Sequence, residues 1–311
     1  MLALPVFAES PLLSPLPENT TLFGFVSPLA PDQQYAHNPT NVLGTSTISG
    51  NSALPILDKP PAVDNEEFPE FLTPSPTTVP EETPTPILNP KPTKSHYTIA
   101  VVGDSMVDVL GPGIPTLKNL LQSTYPKTAF TIYNFGVGAS NLEFGIKRLT
   151  DGYSYLNEDK PSVLSTNPDI LILESFAYNN FGPGQSGLDK QWLLLADAVN
   201  VIRSNSPNTK IIIAATIAPN AQIFGDGANL GFSAQDKWYK SDTIKKYLEN
   251  AIKFGESQHL PTVDAYHPSL GKDGWGQTKF IGDGIHPSEA GKSLFFQKIL
   301  QIIQESQLLD K

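Results

Sequence analysis

The last two thirds of the sequence predict an α/β fold built on a parallel sheet. Short apolar runs typical of buried strands alternate there with longer segments of helical periodicity. Strands that alternate with helices form βαβ units, whose strands run parallel. The runs are almost continuously apolar, which indicates a sheet covered by helices on both faces. Ligands bind such sheets beyond the carboxyl ends of the strands, so chemical motifs are expected directly after strands.

The predicted elements follow in order along the chain. The first strand is predicted at 97–102, where the β-branched run YTIAVV ends at a glycine. Similar apolar runs predict further strands at 130–135, 169–174, 210–217 and 260–265. Helical periodicity between and after these runs predicts helices at 116–123, 142–149, 191–204, 236–258 and 288–304.

Residues 9–95 differ in composition and are expected to form a disordered tail and linker rich in Pro and Thr. Of the 29 prolines, 18 lie at or before Pro92. The segment has no sustained helical or strand period, so it buries too little apolar surface to offset its chain entropy. Residues 1–8, MLALPVFA, resemble the end of a secretory signal but lack a basic start. A truncated signal and an unselected apolar start both stay open, and residues 96–311 are the predicted folded domain.

Charge and cysteine content exclude several classes of protein. The net charge is -10, and the chain up to Lys94 holds ten acidic and three basic residues. An acidic tail on a nearly balanced domain gives no reason to expect nucleic-acid binding. No apolar run approaches the length of a transmembrane helix. The absence of cysteine excludes disulfides, thiolate catalysis and Cys-ligated zinc.

A candidate nucleophile follows the first predicted strand, in the run Gly103-Asp104-Ser105. A serine on a tight turn between a strand and a helix presents its hydroxyl outward. Amide N–H groups nearby can stabilise negative charge there. The same three residues are also typical of a β-turn that caps a helix. The position at the end of the first strand favours the nucleophile.

A candidate base system, Asp283 and His286, precedes the last predicted helix in the run DGIHP. A hydrolytic serine needs a base, and the base needs an acid that fixes its tautomer. A second D-x-x-H-P run, with Asp264 and His267, follows the fifth strand and competes for this role. We prefer His286 because it opens the final helix and stands beside Gly284.

Together these motifs resemble the SGNH (GDSL) hydrolases. The run GDSM at 103–106, the run NFGVG at 134–138, the region of Asn179 and the run DGIHP at 283–287 are similar to the family's four blocks, in the same order. The resemblance spans about residues 97–304. It implies a flavodoxin-like three-layer α/β/α sandwich with a five-stranded parallel sheet of order 2-1-3-4-5. It also implies ester hydrolysis without a cofactor or a metal.

The resemblance assigns roles to the candidate catalytic residues. Ser105 matches the family's nucleophile, His286 its base and Asp283 the acid that orients the base. Ser105 then attacks an ester carbonyl while His286 takes its proton. Water hydrolyses the acyl-enzyme that results.

The resemblance also implies an oxyanion hole. Its first donor is the backbone N–H of the nucleophile. Its second donor is a backbone N–H matched by Gly138 or Ala139, since alanine stands where the family has its strict glycine. Its third donor is a side chain matched by Asn179, although Ala177 and Asn180 replace the Gly and Asp of the family pattern.

Two loops at predicted strand ends are candidates for substrate contact. Residues 220–238 and 271–281 are rich in Gly and aromatic residues and contain Trp238 and Trp275. These rings can stack on a sugar, or they can cover the edge of the core. With the linker, they favour an acetylated glycan as the ester substrate and an extracellular or cell-surface location, with a cytoplasmic one left open. The alternatives are a lipid or thioester hydrolase, a sugar O-acetyltransferase with the same triad and, in another class, a non-catalytic surface glycan-binding module.

Overall fold

A five-stranded parallel sheet forms the centre of the fold. The structure is a computed structural model that describes residues 91–309. The sheet contains β1 His96–Gly103, β2 Ala129–Gly136, β5 Ile170–Glu174, β6 Lys210–Ala215 and β7 Thr262–Asp264. Their order is β2-β1-β5-β6-β7, and every neighbouring pair is parallel. The predicted fold class is confirmed, and the five strands counted by themselves have the order 2-1-3-4-5.

Helices cover both faces of this sheet. They are α1 Ser105–Asp108, α2 Pro115–Thr124, α3 Leu142–Thr150, α4 Gln185–Asn205, α5 Ala234–Ser257, α6 Tyr266–Ser269 and α7 Glu289–Glu305. Short 3-10 helices lie at Leu164–Thr166, Ala177–Asn179 and Thr278–Phe280. Helix α4 begins directly after Gly184, six residues before its predicted start. The prediction missed its first turns because they are polar and carry little apolar periodicity.

Alternate side chains of β1 point to opposite helix layers. Ile99 and Val101 belong to the apolar cluster that also holds residues of α2 and α7. Ala100 and Val102 belong to the cluster that includes α3, α4 and part of α5. Both clusters are almost fully buried, so the central strands are apolar on both faces, as the continuous apolar runs predict.

A β-hairpin that the sequence analysis did not predict follows α3. Its strands are β3 Tyr153–Tyr155 and β4 Glu158–Lys160, which pair antiparallel. The two turn residues, Leu156 and Asn157, have φ angles of 52° and 61°. Positive φ at both positions is the geometry of a type I′ turn. The pattern was missed because this turn lacks the Asn-Gly or Asp-Gly pair that usually signals it.

The chain contacts the domain before β1 begins. The N–H of Thr93 donates a hydrogen bond to the carbonyl of Leu309 at 2.8 Å, and Lys94 forms an ion pair with Asp169. The predicted segment 1–8 and most of the predicted linker 9–95 lie outside the described residues, so both stay predictions. Among the helices of residues 91–309, none combines the length and the apolar character that a transmembrane span requires.

Candidate active site

The predicted nucleophile lies in a tight turn at the carboxyl end of β1, formed by residues 103–108, which we call the nucleophile turn. Ser105 is the first residue of α1 and is 6% exposed. Asp104 caps the helix by accepting the N–H of Met106 at 2.8 Å. A Cβ at Gly103 would lie 2.3 Å from the side chain of Val107, so only glycine fits there. The Gly-Asp-Ser order therefore suits both the packing and the cap of this turn.

Asp283 and His286 form a hydrogen-bonded pair just before α7. Oδ2 of Asp283 lies 2.7 Å from Nδ1 of His286, and Oδ1 accepts the N–H of Ile285 and of His286. Gly284 supplies the positive φ of the turn, 87°. Burial raises the pKa of Asp283, but the hydrogen bonds from His286 and Ile285 outweigh it and hold the pKa below its ordinary value. An ionised Asp283 keeps the proton on Nδ1 and leaves Nε2 as an acceptor.

His286 lies on the same side of the molecule as the nucleophile turn. Its neighbour Ile285 packs in one apolar cluster with Met106. The charge of His286 also acts on the pKa of Asp104, the residue next to Ser105. Within residues 91–309 no hydrogen bond joins Ser105 to His286, and bonds of this kind often close only when substrate binds.

The competing pair makes the same local contact in a different setting. Nδ1 of His267 lies 2.7 Å from Oδ2 of Asp264. The side chain of His267 is 49% exposed, however, whereas that of His286 is 13% exposed. Nε2 of His267 also lies 3.2 Å from the carboxylate of Glu249. The nitrogen that a serine would need is thus engaged by a second carboxylate at the surface, and the geometry favours His286.

The predicted backbone donors lie in the loop after β2, residues 137–141, which we call the oxyanion loop. The N–H of Gly138 donates to the hydroxyl of Tyr155 at 3.0 Å. Ala139 has a φ of 56°, in the left-handed region, and its N–H has no hydrogen-bond partner among the described residues. Of the two candidates, Ala139 is therefore the one whose N–H is available to an incoming oxyanion.

Asn179, the predicted side-chain donor, lies beside the nucleophile turn. It ends the 3-10 helix after β5 and is 7% exposed. Its Nδ2 donates to Oδ2 of Asp104 at 2.9 Å. An amide nitrogen carries two hydrogens, so a second one is left for another acceptor. Burial raises the pKa of Asp104, and the hydrogen bonds from Met106 and Asn179 offset part of that rise.

A buried carboxyl group next to this turn was not predicted. Glu174 ends β5 and is fully buried, with Oε1 accepting the hydroxyl of Ser175 at 2.6 Å and Oε2 accepting the N–H of Phe176 at 2.9 Å. Burial, and then the charge of Asp104, raise the pKa of Glu174 well above its ordinary value. The available signal was a charged residue that closes the apolar run DILILE.

A buried guanidinium supports the same region from α3. Arg148 is 0% exposed and donates to the carbonyls of Phe135 and Gly103 at 3.0 and 3.1 Å. It also donates to the hydroxyl of Ser140 in the oxyanion loop at 3.3 Å. Arg148 therefore connects the ends of β1 and β2 to that loop. Nothing in the sequence pattern distinguishes it from an exposed helical arginine.

The two predicted aromatic contacts lie together beyond β6 and β7, but only Trp275 is on a loop. Trp238, predicted at the end of a loop, lies in the first turns of α5, which begins at Ala234 directly after its N-cap Ser233. The rings of Trp238 and Trp275 meet edge to face, with centroids 6.3 Å apart. Trp238 is 52% exposed, and the ammonium of Lys245 lies 4.4 Å from the ring centre of Trp275. The N–H of Gly225, in the same loop region, donates to the carbonyl of Gly284. No hydrogen bond or ring contact within residues 91–309 joins the tryptophans to the nucleophile turn.

Comparison with known proteins agrees with this arrangement. The model of the GDSL-like lipase/acylhydrolase family matches residues 101–294, more than half of the chain. The chain belongs to this family. The matched region contains the nucleophile turn, the oxyanion loop and the pair of Asp283 and His286. The resemblance to the GDSL hydrolases is confirmed, and this GDSL-family protein is a carboxylic ester hydrolase.

Several solved structures resemble this GDSL-family chain. A protein of Bacteroides fragilis assigned as an acylhydrolase is 18% identical, with a TM-score of 0.50 over 71% of this chain and 92% of its own. The lipase/acylhydrolase of Enterococcus faecalis is 19% identical, with a TM-score of 0.48 over 68% and 96%. A catalytic mutant of an acetylxylan esterase from Geobacillus stearothermophilus is 18% identical, with a TM-score of 0.47 over 67% and 94%. These likenesses concern the fold alone, and no curated protein matches the chain.

Proposed function

We propose that this ester hydrolase works through an acyl-enzyme formed on Ser105, with His286 as the base and Asp283 as the acid that orients it. The observation that carries the proposal is the hydrogen bond of 2.7 Å between Asp283 and Nδ1 of a mostly buried His286. That bond fixes the tautomer whose Nε2 accepts a proton. The neighbouring Ile285 packs in one apolar cluster with Met106, the residue that follows Ser105 in the nucleophile turn.

The first step is attack of Ser105 Oγ on the ester carbonyl carbon. Nε2 of His286 takes the hydroxyl proton as the new C–O bond forms, and it then gives this proton to the leaving alcohol. In the second step a water molecule loses a proton to the same nitrogen and attacks the carbonyl carbon of the acyl-enzyme. The bond between that carbon and Ser105 Oγ then breaks, Nε2 returns the proton to Oγ, and the free acid leaves. Asp283 stays ionised throughout, because its pKa is lowered, and its negative charge stabilises the imidazolium of His286.

The oxyanion hole consists of the N–H groups of Ser105 and Ala139 and Nδ2 of Asn179. Gly138 is set aside because its N–H is already bonded to Tyr155. Asn179 is buried and held by Asp104, so its amide is preorganised and needs little reorientation during the reaction. Loss of one such donor typically raises the barrier by about 3 kcal/mol.

The proposed substrate is an acetylated glycan outside the cell. The half-exposed Trp238, beside Trp275, offers an aromatic surface at the edge where substrates of such sheets bind. The Pro/Thr composition of residues 73–94 suits a spacer that holds an enzyme away from a surface. A lipid or thioester hydrolase and a sugar O-acetyltransferase use the same triad and are separated by the substrate panel below. A non-catalytic glycan-binding module would show no turnover in that panel.

The nucleophile is tested with a fluorophosphonate probe, which labels activated serines covalently. We expect one label per chain on Ser105, lost in Ser105→Ala and kept in Ser204→Ala, a control on the exposed face of α4. Labelling that survives Ser105→Ala, or no labelling of folded wild-type protein, overturns the assignment.

The substrate is tested with p-nitrophenyl esters of increasing chain length, run beside acetylated xylan and peptidoglycan. We expect the acetyl ester to be the best of the series, and acetate to be released from a polymer. A preference for long acyl chains supports a lipid hydrolase instead. Acetyl transfer to an added sugar, in place of free acetate, supports the transferase.

A further inference from the structure

One hydroxyl group joins the two segments that carry the proposed backbone donors. The oxygen of Tyr155 accepts the N–H of Gly138 at 3.0 Å, and its hydrogen goes to Oδ2 of Asp108 at 2.7 Å. Gly138 is adjacent to Ala139 in the oxyanion loop. Asp108 ends the helix that begins with Ser105. The phenol therefore bridges the oxyanion loop and the nucleophile turn.

The tyrosine is itself held in place. It belongs to the hairpin of β3 and β4, where it pairs with Glu158 beside the type I′ turn. On the same strand, the ring of Tyr153 packs edge to face on Phe144, and the Arg148 guanidinium lies 5.4 Å from that ring's centre. These contacts pack the hairpin against α3, so the position of the Tyr155 hydroxyl is fixed relative to α3.

The hydroxyl stays protonated at working pH. Burial and the hydrogen bond to Asp108 raise the pKa of Tyr155 to about 12. A protonated phenol donates to Asp108 and keeps a lone pair for Gly138, which is the arrangement observed. The side chain of Asp108 accepts from Tyr155 and makes no other hydrogen bond within residues 91–309.

We propose that Tyr155 is a positioning residue that sets the distance between the N–H of Ala139 and the N–H of Ser105, and so shapes the oxyanion hole. The proposal rests on the function proposed above. Tyr155 touches neither donor directly and acts through Gly138 and Asp108. Hydrogen-bond donors of an oxyanion hole stabilise the transition state because they are preorganised, so a small displacement weakens that stabilisation.

The consequence falls on the chemical step. An ester carbonyl in the ground state gains little from the oxyanion hole, whereas the tetrahedral intermediate depends on it. Removing the hydroxyl of Tyr155 should therefore lower kcat and leave KM nearly unchanged. A role confined to folding would lower the number of active molecules without changing kcat per active site.

The experiment is a double-mutant cycle with Tyr155→Phe and Asp108→Ala. We expect each single variant to lower kcat by about tenfold, less than the loss of a whole donor, with KM within about twofold. The double variant should be no slower than the slower single variant, since both break one bridge. Asp108→Asn keeps an oxygen that accepts from Tyr155 and should restore most of the rate. Each rate is divided by the number of sites titrated with a fluorophosphonate, which removes any effect of misfolding.

The matched control is Tyr133→Phe. Tyr133 is 41% exposed on β2, and its hydroxyl has no hydrogen bond among the described residues. A kcat for Tyr155→Phe equal to that of Tyr133→Phe overturns the proposal, and so do additive effects in the cycle. If wild-type protein is active and labelled on Ser105, such results count against the role of Tyr155 alone. If wild-type protein is neither labelled nor active, the proposed function fails first.

Discussion

Replacement of the two candidate histidines separates two pairs that are alike in local geometry. His286→Ala removes the proposed base, and we expect kcat to fall by about 10⁴- to 10⁶-fold, as when one member of a hydrolytic triad is lost. His267 is 49% exposed, and it contacts the carboxylates of Asp264 and Glu249 at the surface, where such a contact contributes at most about 1 kcal/mol. His267→Ala should therefore lower Tm by no more than about 4 °C and change kcat by no more than about twofold.

The assay is hydrolysis of p-nitrophenyl acetate, with circular dichroism to show that each variant is folded. Asp283→Asn extends the test. The amide oxygen is expected to keep the two backbone N–H bonds, so the NH2 group faces Nδ1 of His286 and donates to it, which favours the wrong tautomer. We expect it to lower kcat by about 10⁴-fold, as the loss of the orienting carboxylate does in serine proteases. An inactive but folded His267→Ala, with an active His286→Ala, would refute this reasoning and transfer the role to Asp264 and His267.

Four further predictions follow from the structure and the composition. Ala139→Gly should raise Tm by about 2–4 °C in a melting curve, since the left-handed φ costs glycine about 1 kcal/mol less than it costs alanine. The backbone N–H is retained in this variant, so kcat should not fall. Asn134→Ala removes bonds to the N–H of residue 136 and the carbonyls of residues 107 and 111, so chemical denaturation should show a loss of about 2–4 kcal/mol. The raised pKa of Glu174 means that the folded chain keeps a proton that the unfolded chain releases above about pH 4.3, so the contribution of this carboxyl group to stability falls as pH rises above that value. The Tm of Glu174→Gln relative to wild type should therefore increase from pH 5 to pH 8, and a constant difference would contradict this. Removal of residues 1–90 should leave kcat and Tm of the remaining chain unchanged, because the composition of that segment offers no apolar face, and a large fall in Tm would show that it packs on the domain.

The sequence by itself determined the architecture and the identity of the motifs. The apolar runs that became β1, β5 and β6 are set by local composition, since a strand buried on both faces has to be apolar at successive positions. The Gly-Asp-Ser turn and the Asp-Gly-Ile-His turn are also local. In each turn a carboxylate accepts backbone N–H groups a few residues further on, Asp104 in the first turn and Asp283 in the second.

Only the tertiary structure gives a physical ground for preferring one of two alternatives that the local pattern leaves equal. Both Asp–His pairs form the same hydrogen bond of 2.7 Å. They differ in the distant segment that lies beside them, which is the surface residue Glu249 for His267 and the nucleophile turn for His286. The choice between Gly138 and Ala139 depended on a tyrosine that lies on a hairpin with a weak turn signal. The burial of Glu174 and Arg148 was likewise invisible in the sequence, because burial is a property of the packed layers and the chain encodes it only through contacts far apart in sequence.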